Sequence, residues 1–146
     1  MSFVYTPAKT ALLNGALNFA TQDMRIMLVM TNTTADTDQD VQFVGSITTL
    51  DEMDGANYAR QALASEAVNE DAANNRAEFD ATDAVFTNLG AGTRNVAGIV
   101  LYRHVTNDAD SPLIAYIDSG FPYTANGATL TIQWNAEGIL QVTSAA

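Results

Sequence analysis

Apolar positions along this chain fall in short bursts separated by clusters of Asn, Asp, Ser, Thr and Gly, a rhythm of strands and turns rather than of long helices. The strongest burst is Val96 to Val105, followed across the polar cluster Thr106–Ser111 by Leu113 to Asp118, the sequence form of a β-hairpin with a longer loop. In its first arm both alternating sets, Val96/Val100/Tyr102 and Ala97/Ile99/Leu101, are largely apolar. A strand covered on only one side would show a polar set, so the hairpin is expected at the centre of the fold. Met24 to Met30 repeats this character, with Ile26, Leu28 and Met30 on one side and Met27 and Val29 on the other. By contrast, Ala128 to Asn135 alternates cleanly, Leu130, Ile132 and Trp134 against Thr129, Thr131 and Gln133, and predicts a strand with one wet face.

The remaining elements are shorter. Thr6 is placed to cap a helix, Pro7 suits its first turn, Ala8, Ala11 and Leu12 share a face, and Asn14-Gly15 is a stop. Thr31 to Asp40 has no apolar periodicity and reads as an exposed loop. Ile47 to Met53 is read as a single helical turn ahead of Asp54-Gly55. Over Tyr58 to Val68 helix and strand compete: propensity favours helix, yet the alternation and the turn expected at Asn69–Asp71, before an extended segment around Phe79, favour strand. Ala84 to Leu89 alternates and is ended by Gly90-Ala91-Gly92, while Asn126-Gly127 predicts a hairpin flanked by two strands. A last strand is expected over Ile139 to Val142. These elements predict a mainly β fold, an antiparallel β-sandwich or jelly-roll-like barrel with one short N-terminal helix. Its 146 residues fit one domain, 1–146, with an extended N-terminal arm at 1–6.

Charge narrows the classes of partner. Seventeen acidic residues against six Lys and Arg give a net charge of −11, and twelve of the acids lie between Asp36 and Asp83. No basic cluster exists to release counterions from phosphates, so direct nucleic-acid binding is not expected. No apolar run approaches the roughly 20 residues that a membrane-spanning helix needs, so no membrane partner is expected either. The opening MSFVYTPAKTALLNG lacks the basic flank and long apolar stretch of a secretory signal, and cytoplasmic synthesis and folding are expected. The absence of cysteine agrees with that and excludes disulfides and thiolate metal sites.

Candidate chemistry is thin. Asp36, Asp38 and Asp40 form a D-x-D-x-D run, but Val41 stands where an EF-hand loop needs Gly and Ile47 where it needs Glu, so a solvated loop is expected instead. Asp108 and Asp110 receive the same reading. His104 is the sole histidine, without a second imidazole for a two-histidine metal site, and is expected at a surface or interface. Gly90-Ala-Gly92 with Thr93-Arg94 lacks the spacing of a phosphate loop and reads as a turn. Glu66 and Glu70 are common features of an acidic chain, and Trp134 is expected as a core or interface anchor rather than a sugar platform. No catalytic, cofactor-binding or metal-binding residue is assigned.

Five stretches taken together, AKTALLNGALNF leading into MRIMLVM, then GIVLYRH, SPLIAYID and TANGATLTIQW, resemble small virion structural proteins of tailed bacteriophages, of the capsid decoration or cement type. They cover about two-thirds of the chain in order; the segment 36–75 adds nothing to the match. The resemblance implies a β-rich module without enzymatic activity that binds the major capsid protein on the outer shell. It also implies a homotrimer at a symmetry axis, touching the lattice through residues 1–5 or the acidic loop. A tail, fibre or baseplate component that binds a host surface is the alternative.

Overall fold

The strands with two apolar faces lie in the middle of the molecule. A computed structural model of the protein describes residues 1–144. In chain order these form β1 (Phe3–Val4), α1 (Thr6–Leu13), β2 (Met24–Met30), β3 (Gln61–Ala62), β4 (Ala67–Asp71) and β5 (Arg76–Asp80). There follow β6 (Ala84–Phe86), β7 (Val96–Arg103), β8 (Leu113–Ile117), β9 (Leu130–Ile132) and β10 (Leu140–Thr143), with 3₁₀ turns at Val44–Ser46 and Asp108–Asp110. The principal sheet has the order β1-β8-β7-β2-β3, and all its pairs are antiparallel. Two smaller antiparallel sheets, β10-β5-β4 and β6-β9, complete a mainly β, sandwich-like fold that does not close into a barrel. No helix among the described residues is long and apolar enough to cross a membrane.

Each face of the principal sheet has its own core. Ile26, Leu28, Ile99, Leu101 and Ala115 face the small sheets, where Phe79, Ala84, Phe86 and Ile132 complete one buried cluster. Met27, Val29, Val100, Tyr102, Leu113 and Tyr116 face the other way, against Tyr5 and Ala8 at the chain start and Ala35, Val44 and Ile47 from the long connection after β2. Fully burying such side chains is worth about 1.5–3 kcal/mol each. The connection is therefore a lid on apolar surface: Thr33 and Ala35 are buried, contrary to the wholly exposed loop expected for Thr31–Asp40. It is tied down by the Tyr5 hydroxyl donating to the Ala35 carbonyl (2.6 Å) and by Val44 N–H donating to the Ser111 carbonyl (3.0 Å).

Two bulges adjust which residues reach which core. Val29 pairs with Gly98 but Met30 pairs with Val96, so Ala97 is the extra residue. Val96 thereby joins the Ile99/Leu101 side, not the Val100/Tyr102 side that strict alternation gives it. On β8 the shift between Leu101 and Tyr102 leaves Ile114 as the extra residue, and Leu113 and Tyr116 both face the second cluster. Gly98 is required by contact: a Cβ there would sit 2.7 Å from the Tyr116 hydroxyl oxygen and 2.8 Å from the Ile117 carbonyl oxygen.

Several local expectations shift. Tyr5, not Thr6, is the N-cap of α1, and Thr6 is already helical; of the residues read as sharing a face, Ala8 is buried and Leu12 is exposed. The helical turn read at Ile47–Met53 lies earlier, at Val44–Ser46, because Asp51–Met53 is drawn alongside β2 by Met30 N–H to Asp51 O (2.6 Å) and Met53 N–H to Leu28 O (2.9 Å). The turn read at Asn69–Asp71 is displaced to residues 72–75, where Asn75 takes a positive φ of 53° and Asn69–Asp71 remain in β4. Strand wins over helix between Tyr58 and Val68, though divided into β3 and the start of β4. Asn126-Gly127 does turn, with Gly127 at φ 92°, but it closes no hairpin: Tyr123 pairs with Val96 and β9 pairs with β6. At the chain start, Phe3–Val4 run extended but hydrogen-bonded to β8 as its outer neighbour.

Candidate functional site

The residues with candidate chemistry are scattered by the fold. Asp36, Asp38 and Asp40 are all exposed on the lid, and the Asp38 carboxylate accepts from Asp40 N–H (3.1 Å). Among the described residues no group of three or more His, Asp or Glu side chains is placed to hold a metal. Glu66 and Glu70 are spread along extended chain; four residues at about 3.3 Å each put them roughly 13 Å apart, too far to share a glycosidic bond. Burial pushes the Glu66 carboxyl upward from its usual range. His104 is half-buried at the end of β7, its backbone N–H donating to the Asp23 carbonyl (2.8 Å). The Gly90–Gly92 loop is filled by protein: Gly90 N–H donates to Ala56 O (2.8 Å), a Cβ on Gly55 would collide with the Gly90 carbonyl, and Thr93 donates from its N–H and hydroxyl to Asp54 (2.8 Å each). No anion can enter there without displacing the loop that carries Asp54–Asn57.

Asp108 has a partner that sequence spacing does not reveal. Arg60, just before β3, extends its guanidinium over the Tyr102 ring (5.4 Å to its centroid) and forks between two carboxylates. It donates to Glu52 from Nε (2.8 Å) and Nη2 (2.7 Å), and to Asp108 from Nη2 (2.9 Å) and Nη1. The hydrogen bonds from Arg60 hold the Asp108 carboxyl below its usual range and raise Arg60 itself. Tyr58 adds its hydroxyl, donating to Glu52 (2.8 Å) and accepting from Leu28 N–H (3.1 Å), in the stretch of the β2 edge between Asp51–Met53 and β3. Two carboxylates gripped by one guanidinium through charge-assisted hydrogen bonds are suited to fastening. This cluster ties the β7–β8 loop to the β2 edge. Asp110 stays exposed, accepting from the Asn107 side chain (3.1 Å).

A large concavity lies elsewhere, where the sandwich is open. A groove of about 790 Å³ runs between β1 and β8 on one side and β9, Trp134 and β10 on the other. Val4, Ile117, Phe121, Leu130, Trp134 and Ile139 give it apolar walls, all of them half-buried. Gln133, Asn135 and Gln141 add amides, and none of its lining residues is ionisable apart from Tyr116 and Tyr123. Burial and the nearby Asp36 and Asp118 carboxylates push the Tyr116 hydroxyl up to about 12, so it stays neutral. Trp134 is anchored by its backbone N–H to Asp83 (3.0 Å) and its indole N–H to the Thr82 carbonyl (3.2 Å). β1 and β10 are the outermost strands of their sheets, each paired on one side only. Sequence reasoning missed the groove because its walls come from residues 2–4, 115–123 and 130–141, which nothing in the local pattern links. One signal was available: beyond Arg103 the chain has no Lys or Arg.

Compared with protein-family models, with curated proteins and with solved structures, the chain matches none.

Proposed function

We propose that this chain is a non-enzymatic virion structural protein of the capsid decoration or cement type. In this reading it is made in the host cytoplasm and binds the major capsid protein on the outer shell as a homo-oligomer, a trimer being favoured. The resemblance of AKTALLNGALNF–MRIMLVM, GIVLYRH, SPLIAYID and TANGATLTIQW carries the assignment. The physical design supports it. Both faces of the principal sheet are committed to cores, which suits a rigid module, and the Arg60 cluster spends its carboxylates on fastening. A net charge of −11 keeps free copies apart and soluble until a lattice offers many weak contacts at once.

Removing the gene from the phage and heating the resulting particles tests this. Shells without the protein are expected to lose their genome at lower temperature, and adding the purified protein back is expected to restore resistance. Unchanged resistance and no co-sedimentation with shells would discard the proposal. A tail, fibre or baseplate role has one observation in its favour: Trp134, Phe121 and Tyr123 with Gln133, Asn135 and Gln141 combine aromatic rings and amides, a chemistry that suits neutral sugars on a host surface. Antibody labelling confined to the tail would select that reading.

A further inference from the structure

We infer that the open groove between β1/β8 and β9/β10 is a docking site for an extended peptide segment of a protein partner, apolar at its centre and basic at its flanks. The inference rests on the reading of this chain as an attachment protein and names the chemistry of the segment it takes.

Three observations converge. First, the floor and walls carry no carboxylate, Lys or Arg, although the chain as a whole is strongly acidic. A charged group pushed into the groove would be desolvated without a partner, so the central part of the occupant is uncharged. Second, β1 and β10 line the groove as outermost strands, and outermost strands present backbone groups to a chain lying alongside. Third, the rim is negative. Asp118 follows Ile117 of the wall, Glu137 precedes Gly138, and Asp83 holds the Trp134 backbone. The cations that reach the rim are outweighed: the Met1 ammonium is engaged by Asp118, and Arg76 is shared by Asp71, Glu78 and Glu137. Basic residues on either side of an apolar stretch therefore complement the rim, whereas acidic ones are repelled. A second copy of this chain fits poorly: its apolar run with basic flanks, between Arg94 and Arg103, is buried at the centre of the principal sheet, and β8, also apolar, lies between Asp108/Asp110 and Asp118.

The probe is a displayed library of random nine-residue peptides, panned against the full chain. Selected peptides are then synthesised and titrated against the wild type and against a Ser119→Arg/Gln133→Arg variant. Both positions are exposed and line the groove, so the fold is expected to survive, as a thermal melt will verify. A Glu137→Lys variant alters the rim alone. The expected result is enrichment of peptides with alternating apolar residues between Lys or Arg flanks, binding weakened at least tenfold by the double variant and several-fold by Glu137→Lys, and weakened further by salt. Selection of acid-flanked peptides, equal binding to the double variant, or no selection at all would overturn the inference. So would binding of a neutral glycan, but of no peptide, that the double variant abolishes. Co-sedimentation separates this from the broader proposal: if both the wild type and the double variant pellet with shells, the groove assignment fails while the decoration reading stands. If neither pellets but the peptide result holds, the decoration reading fails instead.

Discussion

Val100 and Leu101 are adjacent in β7 yet point into different cores, and truncating each separately tests whether the principal sheet is covered on both faces. Both side chains are fully buried, Val100 against Met27 and Tyr116 and Leu101 against Ile26 and Ala115. Leu101→Ala removes three carbons, about 2.4 kcal/mol at roughly 0.8 kcal/mol per buried carbon, and a residual cavity brings the total to about 3–4 kcal/mol. Val100→Ala removes two carbons, about 1.6 kcal/mol, and reaches about 2–3 kcal/mol with its cavity. At roughly 2–4 °C per kcal/mol for a chain near this length, the two variants should melt about 6–16 °C and 4–12 °C below the wild type. Urea unfolding followed by the fluorescence of Trp134, the single tryptophan, gives the free energies directly. The informative variant is Val100→Ala. In a sandwich whose outer face is wet the substitution would cost under about 0.5 kcal/mol. That small value, with Leu101→Ala still costly, would refute the lid formed by α1 and the connection from Thr31 to Leu50.

Other consequences are testable in the same assay. Tyr58→Phe removes the acceptor for Leu28 N–H and a donor to Glu52, and a loss of about 1–3 kcal/mol is expected; no loss would show that water replaces the hydroxyl. Gly98→Ala drives a methyl into the Tyr116 hydroxyl and the Ile117 carbonyl and should cost about 1–3 kcal/mol in urea. Asp108 has a folded-state pKa below its unfolded value, so its stabilisation is present above about pH 4 and is lost as pH falls through the depressed folded value. The drop in urea midpoint between pH 6 and pH 3 should therefore be smaller for Asp108→Asn than for the wild type, and an equal drop would remove Asp108 from the account.

How legible the fold was in the sequence depended on whether a pattern was local. The apolar runs of β2, β7 and β8 announced strands with two covered faces, because period-two alternation reports burial directly. The Leu130/Ile132 face of β9 was equally readable, although the strand is shorter than the expected Ala128–Asn135 and Trp134 lies beyond it. Where the sequence misled, a non-local term decided. Val96 changes sides because of a bulge at Ala97 that only the partner strand defines. Asn126-Gly127 carries a strong hairpin signature, but its flanks find Val96 and β6 rather than each other. Asp51–Met53 looked helical and instead lies along the part of the β2 edge that β3 does not cover. The candidate acids were seen but not their partners: Arg60 reaches Asp108 across 48 positions of sequence. The groove was invisible for the same reason: its uncharged walls come from segments far apart in sequence.

The proposed attachment to a phage head is tested most directly by a cryo-electron microscopy reconstruction of phage particles made with the gene for this chain present. The expected result is density matching the five-stranded sheet and its two smaller companions on the outer capsid surface, repeated at symmetry axes, with an extended segment of the shell protein lying between β1 and β10. Bare head surfaces, with the same density found on the tail or nowhere on the particle, would contradict it.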